Sequence, residues 1–535
     1  MKRAVLFVVL TTWLSVSQVP SQQPIPPALP RPIDDEVGFA ILVWQYQTDA
    51  IRDAALYDSI GLCGWHIDRG RGQKNRADWG LVNRRPFYID HAAGKGILHL
   101  TPASGLSEIA TDGTPSSRPQ SLFDIETQDT LKQQLNQNLP EVVNDATLAI
   151  ALDDEVSLGT FNSPLEVDFS PASVRAFQDW LNQTYPGGNA LNRSWGVSDA
   201  AKCQPVPFES IRRQLESRPP RQWRLAPWMD FRTFQDETFS RVIAETTRHA
   251  MTHAKGVPVG VVGAQQPSAY GGFDYSRLRH VIQFIEAYDI GGTNEILHSF
   301  WNESPRKPRM QTFFASGNPS ADRWFLWYYL AHGNRGVIAW PTVNGKPWFN
   351  EGRTHPHVSK LASAFEQVQD PALGVLSHPT TTAIQDPIAI LVSQPSVRVG
   401  WAIDATSHGK TWPRRLSSLD NACLTSGKNR VAWLRLLEDL GWQAVCIDES
   451  DIRNGKLLES QTRVLILPQA HAIDHTTCDS ILEFARDGGL VIADHAPAIT
   501  DEHGTGYTTS PLSTLFGTEN LISDADPWFD GSRRF

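Results

Sequence analysis

Three consecutive carboxylates, Asp153, Asp154 and Glu155, follow the apolar run at 148–152 and offer the clearest potential for chemistry. Carboxylates at the end of a buried strand repel one another, and the low dielectric beside them disfavours their charged forms. Both effects raise the pKa of at least one carboxyl group, as a general acid that protonates a glycosidic oxygen near neutral pH requires. Glu155 is therefore a candidate catalytic residue. A solvated acidic loop or a divalent-cation site are the alternatives.

Cleavage of a glycosidic bond generally uses two carboxylates, and Glu295 is the candidate for the second. It follows the pair Gly291 and Gly292, where the chain can bend freely and project a side chain inward. We expect Glu295 to face Glu155 across the site. The alternative is that Glu295 forms an ion pair with a nearby arginine, and Glu303 is a weaker candidate for the same role.

Aromatic and polar side chains stand at the ends of other predicted strands. Sugar pockets combine stacking rings with hydrogen-bonding groups, so these residues form a candidate substrate-binding set. No histidine spacing typical of a metal site is present, and we predict neither a metal nor a cofactor. The substrate-binding candidates are Trp44, Trp65, Asp68, Asp154, Asn294, His298 and Trp340.

Alternating short apolar strands and helical stretches predict an α/β fold, a (β/α)8 TIM barrel over residues 33–370. A long excursion between strands four and five carries helices at 170–185 and 227–254. The third strand has two candidate positions, 96–100 and, as the alternative, 87–91. The predicted strands are 39–45, 63–68, 96–100, 146–153, 257–264, 288–293, 309–315 and 336–340.

A second domain is predicted over residues 380–535, and it is possibly incomplete. Strands at 388–392, 444–447, 464–468 and 490–493 alternate with helices at 431–440 and 478–487, the pattern of a doubly wound, amidotransferase-like α/β domain. Glutamine amidotransfer needs a cysteine at a strand-to-helix turn, and the turn after Leu467 and Pro468 has none. We therefore predict a structural or oligomerising role.

The N-terminus and the composition restrict the class of protein. Lys2 and Arg3 precede an apolar run at 4–14, which predicts a signal peptide over residues 1–22 and a secreted or periplasmic protein with no membrane attachment after cleavage. A retained N-terminal anchor is the alternative. The net charge of −10 argues against nucleic acid as a partner. The 18 tryptophans suit either sugar binding or core packing.

Several segments resemble the family 42 glycoside hydrolases, which are β-galactosidases. Residues 177–185 and 190–196 are similar to that family's helix motif and its following "LNxaWG" run, at a similar distance from the carboxylates. Residues 330–337 resemble the segment before its eighth strand, and the region after Asp386 resembles its trimerisation domain. The resemblance implies hydrolysis of a β-glycoside, Glu155 as acid/base, a carbohydrate substrate and a possible homotrimer formed through the second domain.

The sequence departs from that family at two positions. Asp154 stands where the family has an asparagine that contacts the sugar. The predicted seventh strand, 309–315, contains no glutamate, whereas the family carries its nucleophile there. Two alternatives therefore stay open: an altered, perhaps inverting, pair of carboxylates, and a carbohydrate-binding barrel that has lost catalysis.

Overall fold

The structure is a computed structural model. It describes residues 23–28, 31, 33–34, 37–45, 48–68, 73–100, 118–161, 163, 166, 168–302, 307–381, 383–406 and 417–517. The predicted signal peptide at 1–22 and the end of the second domain at 518–535 lie outside the described residues, as does Glu303. Those parts of the sequence analysis stay predictions.

Eight parallel strands pair in chain order and close into a barrel. Strand β1 pairs with β8 through Ala40 opposite Gly336 and Val43 opposite Ala339, which completes the ring. The predicted TIM barrel is therefore confirmed. Its strands are β1 Ala40–Val43, β2 Gly64–Asp68, β3 Phe87–Asp90, β4 Thr147–Asp154, β5 Val259–Ala264, β6 Phe284–Ala287, β7 Arg309–Ala315 and β8 Gly336–Val343.

Helices connect the strands on the outside of the barrel and continue along the chain beyond it. Short antiparallel pairs follow β8, namely β9 Lys346–Pro347 with β8, and β10 Phe349–Asn350 with β11 Arg353–Thr354. The helices of this part are α1 Ala54–Ser59, α2 Gln73–Val82, α3 Ile125–Asn138, α4 Pro171–Thr184, α5 Gly188–Trp195, α6 Phe208–Ser217, α7 Ala226–Met251, α8 Tyr275–Leu278, α9 Thr293–Phe300, α10 Pro319–Ala331, α11 Pro356–Ser359, α12 Ala362–Val368 and α13 Gly374–Ser377.

Side chains alternate between the two faces of each barrel strand. In β3, Tyr88 belongs to the cluster that fills the barrel, whereas Phe87 and Ile89 belong to the cluster between strands and helices. This alternation follows from the period of two along a strand. A polar residue near the carboxyl end of a strand is therefore directed into the barrel only if it falls on the inward register.

Two predicted strands need correction. The third strand is Phe87–Asp90, the position given as the alternative, while residues 96–100 lie as a bend against the loop after β4, with Ser157 N donating to Leu98 O at 2.9 Å. The sixth strand is Phe284–Ala287, four residues before the predicted start at Tyr288. A buried glutamate, Glu286, interrupts the apolar run of this strand. Its side chain belongs to the site described below.

The two predicted helices of the excursion between β4 and β5 are present. Helix α4 begins after Ser170, whose hydroxyl accepts a hydrogen bond from Ser173 N at 3.2 Å, and has a proline in its first turn. Helix α7 has 26 residues, and both its apolar and its polar side chains are largely buried. It packs against α3 and β5, so the excursion is built into the barrel wall.

The second domain is a four-stranded parallel sheet in the order β13-β12-β14-β15. All four predicted strands are confirmed within one or two residues at each end. Its strands are β12 Ile388–Leu391, β13 Val445–Ile447, β14 Val464–Leu467 and β15 Leu490–Ala493, and its helices are α14 Gln394–Thr406, α15 Ser417–Cys423, α16 Thr425–Asp439, α17 Glu449–Arg453, α18 Lys456–Glu459 and α19 His475–Arg486.

The barrel and the second domain share buried polar contacts. Arg279, after α8, donates to Asp448 at 2.8 Å and to Asp451 at 3.1 Å, and the side chains of Arg279 and Asp448 are both almost fully buried. Helix α9 packs against β13, and Ser299 Oγ accepts from Cys446 N at 2.8 Å. The barrel is thus held to the second sheet by specific bonds.

No helix among the described residues has the length and apolar character needed to cross a membrane.

The outward position of Trp65 generates a stability prediction. Its ring is fully buried beside Trp79 and Phe87, with centroids 5.4 and 6.1 Å away. Trp65→Ala should lower the free energy of unfolding by about 3–5 kcal/mol, because it leaves a cavity between strand and helix. Denaturant unfolding measures this change. The control Trp442→Ala, at an exposed tryptophan, should change stability by about 0.5 kcal/mol or less. Equal effects at both positions would contradict the assignment.

Candidate functional site

Glu155 follows the last residue of β4, at the carboxyl end of the barrel where TIM barrels place their chemistry. Its backbone has φ of 52°, and its N–H donates to Val262 O at 3.0 Å. Tyr288 donates its hydroxyl to Glu155 Oε1 at 2.7 Å, while His99 Nδ1 contacts the Glu155 carbonyl oxygen at 2.7 Å. The side chain is a quarter exposed, so it remains open to a ligand.

The second carboxylate of the site is Glu286, on β6. Its Oε2 accepts from Gly263 N at 2.6 Å, and its Oε1 bonds to the Thr312 hydroxyl of β7. Thr312 lies on the seventh strand, which has no carboxylate of its own. Glu286 of β6 thus places a carboxylate beside β7.

Gly263 lets the two carboxylates meet. A Cβ atom added at this glycine would lie 2.8 Å from Glu155 Cγ and 2.8 Å from Asp154 Oδ1, closer than real Cβ atoms come. Its φ of 67° is also one that other residues adopt only with strain. Glu155 and Asp154 therefore pack on the α-carbon of the residue whose N–H binds Glu286.

Burial and mutual repulsion disfavour charge in this cluster. Burial raises the pKa of Glu286 to about 7, with further contributions from Asp90 and Glu155. Burial also raises the pKa of Asp154 well above its usual value, and the negative charges of Asp90, Glu155 and Glu286 add to the effect. The raised pKa favours the neutral carboxylic acid form of Asp154, which can donate a hydrogen bond as an asparagine amide would.

A buried histidine supplies the compensating positive charge. His91 Nδ1 lies 2.7 Å from Asp153 Oδ1 and 3.7 Å from Asp90 Oδ1. Burial alone would lower the pKa of His91, but these two carboxylates outweigh it and raise the pKa to about 9. The protonated ring therefore offsets part of the negative charge beneath the site.

Two tryptophans border the carboxylates. Trp44 and Trp340 stack with ring centroids 5.0 Å apart, and Trp44 Nε1 donates to Asp90 Oδ2 at 3.2 Å. Together with Tyr88 and Ile338 these rings complete a cavity of about 260 Å³, which contains Asp154, Glu155 and Glu286. Aromatic faces beside several hydrogen-bonding groups suit a single sugar ring.

Glu295 lies elsewhere, and the prediction that it faces Glu155 is wrong. It is on α9 and is buried; Tyr328 donates to its Oε1 at 2.7 Å, and Gln443 of the second domain donates to its Oε2 at 3.0 Å. The predicted strand register was four residues late, so the helix after β6 was taken for the end of that strand. Helix α9 directs Glu295 toward α10 and the second domain.

Three predicted substrate-binding residues are also placed away from the cavity. Asn294 bonds to Gln311 and Asn334, and His298 Nδ1 contacts His332 O at 2.8 Å, both in the buried interior beside α9. Trp65 points outward from β2. These corrections share one cause. The direction of a side chain depends on the face of the strand or helix that carries it, and position in the sequence alone does not give that face.

Asp68 is on the inward register of β2, opposite Asp90 of β3. Among the predicted set, the structure therefore brings together Glu155, Asp154, Trp44 and Trp340 in the cavity, with Asp68 beside its acidic floor.

Among the described residues, Glu295, His332 and Glu438 could hold a metal ion, since their ligand atoms all lie within 4.8 Å of one another. Protein donors already contact them. Tyr328 donates to both carboxylates, at 2.7 and 3.1 Å, and Arg435 donates to Glu438. This arrangement is an ion-pair network that connects α9 and α10 of the barrel to α16 of the second domain.

Sequence analysis missed four residues of the site: Tyr88, Asp90, Glu286 and Tyr288. A signal existed for the first two, since residues 87–91 were the alternative third strand and alternation puts Tyr88 and Asp90 on one face. Glu286 carries a weaker signal, a lone carboxylate inside an apolar run. Nothing in the local sequence indicates that it contacts Thr312 of the next strand.

With this geometry in place, the fold can be compared with solved structures. The β-galactosidase from Rahnella sp. R3 is 14% identical with a TM-score of 0.65, over 90% of this chain and 75% of that one. The β-galactosidase from Bacillus circulans sp. alkalophilus is 12% identical with a TM-score of 0.63, over 90% and 74%. The GH42 exo-carrageenase from Bacteroides ovatus is 12% identical with a TM-score of 0.57, over 89% and 67%.

No family model matches the sequence, and no curated protein matches it. The likeness is one of fold. It confirms the predicted architecture of a TIM barrel followed by an α/β region, because the agreement extends over nine-tenths of this chain.

The packing at Gly263 generates a prediction. Gly263→Ala should destabilise the protein by more than the ~1–3 kcal/mol of backbone strain alone, because the new methyl group collides with Asp154 and Glu155. Gly256→Ala is the matched control, with φ of 85° and no atom within 4 Å of the added Cβ. Thermal unfolding of both variants gives the comparison. An equal loss in the two would show that Gly263 is needed only for its backbone angle.

Proposed function

We propose that this chain hydrolyses a β-glycosidic bond, with Glu155 as general acid/base and Glu286 as nucleophile. The observation that carries the proposal is that both glutamates pack against Gly263 and line one cavity, which is bordered by Trp44 and Trp340. The substrate class proposed is a β-galactoside, supported by the fold shared with solved β-galactosidases.

The geometry supports a double displacement. A Glu286 oxygen attacks the anomeric carbon while Glu155 gives its proton to the departing oxygen, so the alcohol leaves and a glycosyl ester remains. Water then attacks the same carbon, Glu155 takes the proton of that water, and Glu286 is released. Such chemistry needs carboxyl groups ~5–5.5 Å apart, and the packing of both around one glycine favours a short separation. We therefore expect retention of the anomeric configuration.

Hydrogen bonds in the site suit these roles. The Thr312 hydroxyl and the Gly263 N–H contact the two oxygens of Glu286, which orients the carboxylate and favours its charged form. The raised pKa of Asp154 favours its neutral form, which can donate to a sugar hydroxyl where an ionised aspartate could only accept.

A carbohydrate-binding barrel without catalysis was the alternative, motivated by a seventh strand that lacks a glutamate. Glu286 of β6 lies beside Thr312 of β7 and can provide a second carboxylate in place of a seventh-strand glutamate. This position supports catalysis over the binding-only alternative.

Export and self-association are further proposals. A basic start and a short apolar run at 4–14 support a cleaved signal peptide and a secreted or periplasmic location. The resemblance of the second domain to a trimerisation domain supports a homotrimer.

Substitution of Glu155 and Glu286, with and without azide, can assign the catalytic roles of the two carboxylates. Glu155→Gln should reduce turnover of an unactivated β-galactoside by ~10²–10⁴-fold, with a smaller loss on substrates that have good leaving groups. Azide can take the place of a deleted side chain. With azide, Glu155→Ala should therefore form the β-glycosyl azide, and Glu286→Ala the α-glycosyl azide, as seen by proton NMR.

The matched control is Glu295→Gln, which should keep kcat because Glu295 lies outside the cavity. The same NMR assay on the parent protein should show the β-anomer of the released sugar first. An α-product from the parent protein, or loss of turnover in Glu295→Gln alone, would overturn the assignment.

The pKa of Glu286 sets the expected pH dependence. This carboxyl must be ionised to attack, and its pKa is raised to about 7 by burial. The kcat/KM of the parent protein should therefore rise with pH through about 7. Thr312→Val removes a hydrogen bond that lowers this pKa, so the rise in kcat/KM should move to higher pH. Thr312→Ser keeps the hydroxyl and should leave the rise at the same pH. If the pH at which kcat/KM rises is the same in the parent protein and in both variants, the rise reports the ionisation of another group.

A further inference from the structure

A second cavity, of about 730 Å³, adjoins the first. Apolar side chains from several elements form most of its wall: Phe161 after β4, Ile290 after β6, Phe313 on β7, and Phe325 and Tyr329 on α10. Its volume lies within the usual range for small-molecule sites, ~300–1,000 Å³.

The two cavities meet at the carboxylates. Glu155, Tyr288, Thr312 and Phe314 line both. Asp154, Glu286 and the two tryptophans line only the smaller one. A sugar held in the smaller cavity beside Glu286 thus has its scissile oxygen near Glu155, at the junction. The group that leaves with that oxygen extends into the larger cavity.

The chemistry of the larger cavity differs from that of the smaller one. Phe314 is 55% exposed although its ring lies beside Tyr288, with centroids 5.6 Å apart. An exposed apolar ring at the mouth of a polar site is typical of a binding surface. Hydroxyl groups placed against such a wall would lose their hydrogen bonds to water without replacement.

Two polar residues of the larger cavity, Gln265 and Asn421, have partners within the protein. Gln265 Nε2 contacts Gly263 O at 3.3 Å, and Asn421 Oδ1 of α15 accepts from Gln266 Nε2 at 2.8 Å. These bonds hold Gln265 and Asn421 in place in the wall of the cavity. Because Asn421 belongs to α15, the second domain forms part of this wall.

We propose that the larger cavity binds the leaving group of the substrate and selects an apolar, alkyl or aryl, aglycone over a second sugar. This inference rests on the proposed function of Glu155 and Glu286. It names the substrate class on the leaving-group side, which the carboxylates alone do not determine.

Alkyl β-galactosides test the selection without changing the chemistry. Methyl, butyl, hexyl and octyl β-galactoside release alcohols of similar acidity, so differences in kcat/KM report binding of the chain. With the full chain, below the micellar concentration of each compound, kcat/KM should rise about threefold per methylene until the cavity is filled. Butyl and longer galactosides should exceed lactose. A flat series, or a preference for lactose, overturns the inference.

A variant in the wall separates the cavity from general hydrophobicity. Ile290→Asn should reduce the octyl-to-methyl ratio of kcat/KM at least several-fold while the methyl galactoside value stays within about twofold. Ile290→Leu is the conservative control and should keep the parent ratio. If Ile290→Asn fails to fold, Phe161→Ser on the opposite wall serves the same purpose. Equal loss on both substrates would contradict the proposed role.

Binding measurements distinguish this inference from the proposed function. Octyl and methyl β-thiogalactoside, which resist hydrolysis, can be titrated by calorimetry into the parent protein. Tighter binding of the octyl compound, abolished by Ile290→Asn, supports the cavity even if no galactoside is cleaved, and then the proposed catalysis alone fails. Cleavage of methyl galactoside with no chain-length dependence in either assay leaves the catalysis standing and overturns the inference.

Discussion

The site depends on the placement of several carboxylates in a space where water cannot screen them. Burial and the charges of Asp90 and Glu155 raise the pKa values of Asp154 and Glu286, because the low dielectric of the barrel makes repulsion between carboxylates costly. Three features make the arrangement tolerable. Gly263 leaves room for the side chains and binds Glu286 through its N–H, the Thr312 hydroxyl binds the same carboxylate, and His91 contributes a positive charge.

The surrounding structure keeps that cluster rigid. Helix α9 begins directly after the loop that follows β6, and Glu295 anchors it to Tyr328 and to Gln443 of the second domain. Burial alone would lower the pKa of His332, but the nearby carboxylates of Glu438 and Glu295 raise it. The second domain therefore stabilises the loop after β6, which contains Tyr288.

The two cavities divide recognition by polarity. Charged and aromatic groups surround the smaller volume of about 260 Å³, and phenylalanines dominate the larger one of about 730 Å³. Glu155 lies at their boundary, the place where a leaving oxygen must be protonated. The loop after β6 and helix α15 of the second domain both contribute to the larger wall, so specificity on that side depends on elements far apart in the chain.

The sequence alone determined the barrel, the second parallel sheet and the position of Glu155 after β4, because period-two apolar runs and a carboxylate after a strand are local signals. Trp44, Trp340 and Asp154, which were chosen as residues at strand ends, line the same cavity as Glu155. Only the tertiary structure decided the partner of Glu155. A four-residue error in the position of β6 hid Glu286, and strand register determines which side chains enter a barrel. Likewise, the direction of Trp65 and the pairing of Glu295 with the second domain follow from contacts between distant segments, which no local pattern records.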